Sequence, residues 1–386
     1  MELRRETLLN SGADNAMYNI VLLPDGYTEL ELPQYIKHCW EFVRGLSELP
    51  WFSTLQNAIN IHALLIPSAQ SGAGEGDARD TPFGAHYGEM IEGGVKRLIE
   101  INDQRAIQIL EQELSQWNAA MVVVNGHQMG GSGGTKRNQS SPNKRVAAAA
   151  AVANWLPVAM HELGHSAFGL ADEYDSAIPD APDNIEDYPN VTAEVRRERI
   201  KWRRFIEADT PLPTPLDLGF ADRMLVGLFE GAFYRTHGVF RPTRICAMST
   251  LSKTIPFCRV CMQRIIDTLR PHFSSRPALA CDAHLLSTAY RLSPRLELCN
   301  VGNVPVKNIE VRAFEAELDQ DKLLKSDVKA DKRFKALFKS PHASLQSDER
   351  LFVDLQFADL NSSPDYGCLT FYSDAGELDV FLEVWA

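Results

Sequence analysis

The sequence predicts an α/β (α+β) domain with a mixed sheet and covering helices, followed by a C-terminal all-β domain folded as a sandwich. A strand, a helix and a second strand follow one another near the N-terminus, which is typical of a partly parallel sheet. After residue 277, short alternating apolar runs are separated by Asn, Gly, Pro and Asp residues, as in a small β-sandwich. With 386 residues the chain is too long for one ordinary core, so we expect domains at 1–276 and 277–386.

The first elements are indicated by apolar spacing and by a helix start signal. Residues 18–23 form a β-branched and leucine-rich run that is followed by Pro24-Asp25-Gly26, which indicates a buried strand closed by a turn. Thr28 and Glu31 then form the capping-box pattern, and apolar residues continue behind it at helical spacing. Residues 59–66 predict the second strand.

The middle of the first domain predicts another helix, another strand and a glycine-rich loop. Residues 95–117 show helical spacing, and residues 119–124 indicate a strand. Residues 125–134 include five glycines, so the backbone there is either mobile or closely approached by another segment. This loop lacks the G-K-[ST] ending of a phosphate loop. The alanine-rich residues 145–152 fit a strand or a helix.

The most informative segment is a helix that we expect to begin near residue 155 and to end at Gly169. His161 and His165 are four residues apart, so both imidazoles project from one face of this helix and can bind one metal ion. Together with Glu162 they form H-E-x-x-H, the signature of zinc hydrolases. In that signature the glutamate takes a proton from metal-bound water.

A catalytic zinc usually has three protein ligands and leaves the fourth position to water, so a third donor is needed after the helix. Asp172, three residues past Gly169, is the first choice, and Glu173 is the alternative. Met248 precedes a predicted helix at 256–269 and fits a methionine packed beneath such a metal. The sequence therefore predicts a Zn²⁺ centre held by the two histidines and a carboxylate.

The cysteines give a weaker signal. The chain has 7 cysteines, an odd and scattered set that does not resemble a secreted disulfide framework. Cys258 and Cys261 form a lone C-x-x-C, which without a second pair favours two reduced thiols on one helical turn over a structural zinc site. Asn190-Val191-Thr192 is a glycosylation sequon that matters only if the protein is exported.

Composition excludes several classes of partner. The formal net charge of -12 and the pI near 5.4 argue against nucleic acid and anionic membranes. No apolar run reaches the ~20 residues that a membrane helix needs. The N-terminal residues have no apolar segment of a secretory signal, so we expect a cytoplasmic protein unless a leader is missing. The oligomeric state stays open.

Taken together, these motifs resemble the IgA-peptidase family of zinc metallopeptidases, a metzincin-like group. The resemblance spans roughly residues 18–270, and four segments carry it in order: 20–27, 125–134, 161–174 and 230–248. It implies a metzincin-like catalytic domain with a zinc helix. It also implies that His161, His165 and Asp172 bind zinc, that Glu162 is the general base and that Met248 forms the Met-turn.

The chain departs from the commoner metzincin pattern in one respect. That pattern, H-E-x-x-H-x-x-G-x-x-H, would place its third ligand at Ala171. Here the glycine and the carboxylate are both displaced by one residue, so the interval from Gly169 to Asp172 is kept. This preserved interval favours Asp172 over Glu173.

The predicted function is that of a zinc metalloendopeptidase acting on a protein or peptide substrate. Glu162 would remove a proton from zinc-bound water, which attacks a peptide carbonyl. Tyr234 is the candidate for stabilising the developing oxyanion, and Tyr174 is a second one. Two alternatives stay open: a catalytically silent binding protein that keeps the metal fold, and a zinc amidase that acts on non-protein amides.

Overall fold

The computed structural model describes 14 stretches of the chain. They are residues 4–88, 97–133, 146–176, 183–216, 225–252, 255–273, 278–281, 290–291, 295–319, 322–332, 334–337, 342–347, 349–357 and 365–384. The chain divides into two compact units, one of Met1–Ser47 and Ile59–Ile265 and the other of Glu48–Ala58 and Ile266–Ala386. The division into folding domains at residue 276 stays a prediction, because compactness alone does not show independent folding.

The α-helices are α1 (Leu32–Ser47), α2 (Pro50–Leu55), α3 (Asp103–Glu113), α4 (Leu156–Phe168) and α5 (Arg259–Leu269). The strands of the first unit are β1 (Arg4–Leu9), β2 (Tyr18–Asp25), β3 (Ile59–Leu65), β4 (Gly74–Glu75), β5 (His86–Tyr87), β6 (Ile99–Glu100), β7 (Trp117–Val124), β8 (Gly131–Ser132), β9 (Val146–Ala150), β10 (Phe229–Ala232) and β11 (Arg235–Arg241). Short 3₁₀ segments lie at Glu29–Glu31, Gln56–Ala58, Ile185–Asp187, Arg197–Arg199, Arg203–Phe205 and Arg270–His272.

A mixed six-stranded sheet forms the frame of the first unit, with the strand order β1-β3-β2-β7-β9-β8. The four central strands pair in parallel, whereas β1 and β8 pair antiparallel at the two edges. Strands β2, β7 and β9 are almost wholly buried, as expected of parallel strands whose near-continuous apolar runs are covered on both faces. This arrangement confirms the mixed α/β character that the sequence predicted.

Helices α1 and α4 contact this sheet and each other. α4 packs against β7 and β9, and α1 contacts β2, β3 and β7. The Phe42 and Trp155 rings stack 6.0 Å apart. Gly45 of α1 faces Leu156, and a Cβ at that position would come within 2.3 Å of a Leu156 methyl group. The small residue therefore lets α1 approach the first turn of α4.

One predicted helix is shorter than its apolar spacing indicated. The structure confines α3 to 103–113, while residues 99–100 lie in a short strand and Trp117 begins β7. Asn102 accepts a hydrogen bond from the Arg105 backbone N–H and begins the helix at this point. The apolar residues on either side of α3 belong to strands of the same core, so their spacing does not reflect one helix.

The second unit contains two sheets around a single apolar core. Its strands are β12 (Leu279–Cys281), β13 (Tyr290–Arg291), β14 (Arg295–Asn300), β15 (Val306–Asp319), β16 (Lys322–Ala330), β17 (Phe334–Leu337), β18 (His342–Leu345), β19 (Arg350–Phe357), β20 (Asp365–Ser373) and β21 (Gly376–Val384). The sheet orders are β12-β14-β19-β17 and β13-β21-β20-β15-β16, with β18 paired to β15. Leu296, Leu298 and Val353 from the first sheet share the core with Leu369, Phe371 and Leu382 from the second. Within the described part of the chain, no helix combines the length and apolarity needed to cross a membrane.

Candidate metal centre

Helix α4 places His161 and His165 on one face and ends where the chain must turn back. Trp155 caps the helix and a proline lies in its first turn, where the missing backbone N–H costs no hydrogen bond. Gly169 takes the left-handed conformation with φ 65°, and its N–H donates to the carbonyl oxygen of His165. This reversal brings Asp172 back to the two histidines, as the spacing after the glycine predicted.

Three potential ligand atoms meet at this point. His161 Nε2 lies 3.0 Å from Asp172 Oδ1, His165 Nε2 lies 3.3 Å from the same oxygen, and the two Nε2 atoms are 3.2 Å apart. A tetrahedral zinc ion with bonds near 2.0–2.1 Å would hold neighbouring ligand atoms about 3.3 Å apart. The three atoms therefore have the spacing of one face of a zinc tetrahedron.

The hydrogen bonds of the other ring nitrogens support this assignment. His161 Nδ1 lies 3.0 Å from the Ala247 carbonyl oxygen, and His165 Nδ1 lies 2.8 Å from that of Leu170. Because a carbonyl only accepts, each Nδ1 carries a proton, and Nε2 is the nitrogen that each ring has left to bind a metal. Asp172 Oδ1 is buried and accepts no hydrogen bond. Two Nε2 atoms and a carboxylate oxygen thus face each other, an arrangement that fits a divalent cation.

The electrostatics of the centre favour positive charge. Burial alone would lower the pKa of His165, but the Asp172 carboxylate outweighs it and raises the pKa of His165 to about 9. Burial would likewise raise the pKa of Asp172, yet the two histidines hold it well below its usual range. The pocket therefore keeps the carboxylate ionised, which is the state that binds a metal.

Glu162 lies beside the ligand atoms and under the glycine-rich segment. Burial raises the pKa of Glu162 above its ordinary value, and the positive charge of the histidines opposes that rise. A Cβ on Gly131 would come within 2.8 Å of Glu162 Oε1, and a Cβ on Gly133 within 2.4 Å of the His165 Cβ. Of the two expectations for this loop, close approach by another segment applies here, because α4 leaves no room for a Cβ at Gly131 or Gly133.

The two candidate tyrosines contact the third ligand and each other. Tyr234 donates its hydroxyl hydrogen to Asp172 Oδ2, and Tyr174 lies with its ring 5.3 Å from that of Tyr234. Burial and the Asp172 charge raise the pKa of both phenols, so both stay protonated. The structure thus assigns Tyr234 a contact that orients Asp172, while its proposed action on an oxyanion stays a prediction.

The turn that carries Tyr234 has an uncommon backbone. Phe233 and Tyr234 connect β10 to β11 with φ values of 51° and 65°. Positive φ at both central residues is the geometry of a type I′ hairpin turn, which is unfavourable for residues other than Gly, Asn or Asp. Backbone hydrogen bonds from Phe233 to Asp172 and from Tyr234 to Tyr174 hold the turn against the ligand loop.

Met248 lies beneath the histidine helix. It is fully buried, within the turn formed by residues 247–249. A Cβ on Gly164 would come within 2.5 Å of Met248 Sδ, so the sulfur lies against the stretch of helix between the two histidines. The assignment of Met248 as a Met-turn stays a prediction.

Glu173, the alternative third ligand, lies in a different cluster. Its Oε1 is 3.2 Å from Cys261 Sγ and 4.0 Å from Cys258 Sγ, and it accepts a hydrogen bond from Asn190 Nδ2. Burial raises the pKa of Glu173 well above its usual range. Of the two carboxylates, only Asp172 joins the histidine ligand atoms.

Sequence reasoning missed two residues of this region. Asn190 is fully buried and binds the backbone N–H and carbonyl of Ala171 as well as Glu173, so this sequon residue fixes the ligand loop. Cys246 joins Cys258 and Cys261 in space although it lies outside their C-x-x-C. Neither role leaves a local pattern, because each depends on a contact between distant segments.

Comparison with known proteins gives one match over most of the chain. A family model described as IgA Peptidase M64 matches residues 7–225 and 220–269. A search of curated proteins finds no match.

Similarities to solved structures are low. They include the secreted serine protease VesC from Vibrio cholerae, at 16% identity over 28% of this chain and 19% of that chain, with a TM-score of 0.18. A CsuC-CsuE chaperone-tip adhesion subunit complex from Acinetobacter baumannii matches at 13% identity over 29% and 57%, with a TM-score of 0.21. The PapD-like domain 7 of human CEP192 matches at 14% over 27% and 82%, with a TM-score of 0.16. This chain covers less than two thirds of the first two structures, and TM-scores this low indicate nothing about the fold.

Proposed function

Because the chain belongs to the IgA peptidase M64 family, it is a peptidase, and we propose that it is a zinc-dependent metalloendopeptidase. The observation that carries this proposal is the meeting of three potential ligand atoms from His161, His165 and Asp172 within 3.0–3.3 Å. The presence of His161, Glu162 and His165 argues against a catalytically silent binding protein that keeps the metal fold, because a decayed site usually loses one of these residues. We take the ion to be zinc because two imidazoles and one carboxylate are a common catalytic zinc set.

When bound, zinc would supply the Lewis acidity that polarises a peptide carbonyl and makes water acidic. Glu162 would accept a proton from the attacking water and return it to the leaving amine. Its raised pKa brings it closer to the range in which a carboxylate can both take and give a proton. Asp172 and the backbone carbonyls of Ala247 and Leu170 hold the histidine rings in position.

The substrate would run along the glycine-rich segment. β8 is the last strand of the six-stranded sheet, and its Gly131 lies directly over Glu162. Gly131 itself is bridged to Leu98 and donates its N–H to the Arg97 carbonyl oxygen, so an extended peptide would have to pair beyond Gly131 on this segment to present a carbonyl to the general base. An endopeptidase needs such an open path for chain on both sides of the cleaved bond.

Two finer assignments belong to the same proposal. Met248 would act as the Met-turn of a metzincin-like centre, supported by its contact with Gly164. The second unit would be a β-sandwich accessory domain, supported by one core shared between its two sheets. A zinc amidase acting on non-protein amides would use the same residues, and the substrate assay described next also tests this alternative.

The test is the substitution Glu162→Gln. It removes the base but keeps the size of the side chain, so hydrolysis of denatured casein should fall by about 10²- to 10⁴-fold while one equivalent of zinc stays bound at the histidines. Casein cleavage is followed by peptide release, and zinc is measured by elemental analysis of the purified full-length chain.

Glu113→Gln is the matched control, because Glu113 is exposed at the end of α3. It should cleave casein at the wild-type rate. Normal hydrolysis by the Glu162 variant would contradict the assigned base. If the wild type binds zinc at the histidines and releases no peptide from casein but hydrolyses a non-protein amide, the amidase alternative is favoured.

A further inference from the structure

A second group of metal-binding side chains lies beside the proposed catalytic centre. It consists of Glu173, Cys246, Cys258 and Cys261, and all four are buried. Their potential ligand atoms lie within 4.8 Å of one another. The group brings together three separate segments of the chain, so it is a product of the fold.

The sulfur atoms are too far apart for a disulfide and have the spacing of metal ligands. Cys246 Sγ lies 3.8 Å from Cys261 Sγ, whereas a disulfide would hold them about 2.05 Å apart. Zinc–sulfur bonds near 2.3 Å in a tetrahedron would hold two sulfurs about 3.8 Å apart. The carboxylate oxygen at 3.2 Å and 4.0 Å from the sulfurs of Cys261 and Cys258 completes a compact set of four donors.

The carboxylate gives an independent indication that a cation belongs here. Glu173 is fully buried, and its Oε2 accepts no hydrogen bond. Leaving a buried carboxylate oxygen without a partner is costly unless a cation offsets it. The guanidinium of Arg241 attracts this carboxylate electrostatically. Its hydrogen bond among the described residues, however, runs from Nη1 to the Glu230 backbone carbonyl oxygen at 3.5 Å and not to Glu173.

The position of the thiols also suits thiolate ligands. Cys258 directly precedes α5, an 11-residue helix, and the helix N-terminus favours negative charge. The backbone N–H of Cys258 donates to Cys246 Sγ at 3.2 Å, which stabilises a sulfur that carries negative charge. These contacts correspond to the second shell of a thiolate metal site.

We propose that Glu173, Cys246, Cys258 and Cys261 bind a second, structural zinc ion in the first unit. Four protein donors fill a tetrahedral coordination shell, which leaves no position for water and marks a structural site rather than a catalytic one. Soft thiolate ligands select zinc over magnesium and calcium.

This site would hold the catalytic centre in place. Glu173 follows Asp172, and its backbone N–H donates to the Met248 carbonyl oxygen at 2.8 Å. Cys246 precedes Ala247, the residue whose carbonyl accepts the Nδ1 proton of His161. A metal bound at the second site would therefore fix both the third catalytic ligand and the turn beneath the histidines.

The experiment counts metals in the full-length chain and identifies their ligands. Elemental analysis should find two zinc ions per chain in the wild type and one in the double variant His161→Ala/His165→Ala. Cobalt(II) loaded into that double variant should show thiolate-to-cobalt charge-transfer absorption together with the intense bands of a tetrahedral ion. Adding Cys261→Ser to the double variant should abolish the charge-transfer absorption.

Cys39→Ala is the matched control, because Cys39 is a buried free thiol in α1 outside the cluster. It should retain two zinc ions. If Cys261→Ser does not fold, the cobalt spectrum of the double histidine variant still decides the question. The proposal would be overturned if the double histidine variant contained no zinc and its cobalt form showed no charge-transfer absorption. It would also be overturned if the intact mass of the chain were two hydrogens lower than calculated and the difference mapped to a Cys246–Cys261 disulfide. Loss of hydrolysis alone would bear on the catalytic centre and not on this site.

Discussion

The choice of ligand atom at each histidine is made by the hydrogen bond on the opposite side of its ring. His161 donates to a carbonyl in the turn at Ala247, and His165 donates to Leu170, just past the end of its own helix. Both bonds use Nδ1 and leave Nε2 as the nitrogen that can bind a metal, and the two Nε2 atoms lie 3.2 Å apart. H-E-x-x-H predicts which residues bind the metal, but the nitrogen that binds is determined by these loops.

At the same scale, Tyr234→Phe separates an orienting role from a catalytic one. The substitution removes the hydrogen bond to Asp172 Oδ2 and leaves a buried carboxylate oxygen without its donor. We expect zinc affinity at the histidine centre to fall by about 10- to 100-fold, as for other partners of metal ligands. Competition with a chromophoric chelator measures this affinity.

Tyr188→Phe provides the control for that change. Its ring packs 5.2 Å from that of Phe233 in the same aromatic group, but the hydroxyl that donates to Asp172 Oδ2 is that of Tyr234. Its zinc affinity should match that of the wild type. If Tyr234→Phe instead keeps full zinc affinity and loses catalytic rate at saturating substrate, the hydroxyl stabilises the reacting carbonyl, as the sequence predicted.

Among the elements, the start of α1 shows how far a local pattern can be trusted. Glu31 Oε2 accepts from the backbone N–H and the hydroxyl of Thr28, and Oε1 accepts from Ser71 and Asn125. The capping box predicted from Thr28 and Glu31 is present, and Glu31 also connects the loop at Ser71 to the helix. The sequence could not indicate the last two contacts, because their donors lie 40 and 94 residues away.

Glu31→Gln should destabilise the protein in a pH-dependent manner. Burial alone would raise the pKa of Glu31, but its hydrogen bonds from Thr28, Ser71 and Asn125 outweigh it and lower the pKa below the usual value. A lowered carboxyl pKa stabilises the fold above the unfolded-state pKa of about 4.3, and this stability is lost as the pH falls through the folded-state pKa.

The free energy of unfolding of Glu31→Gln should therefore be lower than that of the wild type by about 1 kcal/mol at pH 7, and the difference should shrink towards pH 3. Urea denaturation at both pH values measures it. A difference that is independent of pH would show that packing rather than charge explains the effect.

The segment formed by β8 and the following Gly133 offers a second prediction at this scale, because it touches the histidine helix through glycine. A Cβ in Gly133→Ala would meet Cβ, Cγ and Cδ2 of His165 at 2.4–2.7 Å, and His165 is held by its own hydrogen bond. We expect a loss of about 1–3 kcal/mol in stability together with weaker zinc binding, because the strand or the ring must move.

Gly238→Ala separates these two effects. Gly238 has φ 76° and open space around its Cβ position, so its substitution costs about 1–2 kcal/mol in backbone strain and should leave zinc affinity unchanged. Calorimetric unfolding and chelator competition on both variants make the comparison. Equal zinc affinity in the two variants would contradict the proposed contact between Gly133 and His165.

For the whole molecule, the sequence predicted those features that local chemistry determines. Strands 18–23, 59–66 and 119–124 follow from apolar runs, and the position of Asp172 follows from the reversal at Gly169. Within the undecided segment 145–152, residues 146–150 form the strand β9, whose alanines lie in the space between β7, β8 and α4. That space exists only after the sheet has formed, so alanine-rich sequence alone does not choose between strand and helix.

The grouping of distant cysteines was not predictable for a related reason. Cys258 and Cys261 looked like two reduced thiols, because a lone C-x-x-C provides only half of a metal site. The remaining donors are a single cysteine at the Met248 turn and a carboxylate already considered for another role. Adjacent carboxylates at 172 and 173 thus serve two clusters, which explains why spacing alone left the choice between them open.

Metal removal should act on the two compact units differently, because both metal clusters belong to the first unit and the second has an apolar core of its own. With free zinc at about 1,000 times its dissociation constant, binding contributes about 4 kcal/mol to the stability of the fold that binds it. Chelation should therefore accelerate amide hydrogen exchange in α4 and β9 and leave exchange in β20 and β21 unchanged. Exchange followed by mass spectrometry measures both regions in one sample of the full-length chain, and re-addition of zinc should restore protection in the first. Equal acceleration in both regions would show that the two units unfold together and that zinc stabilises the entire chain.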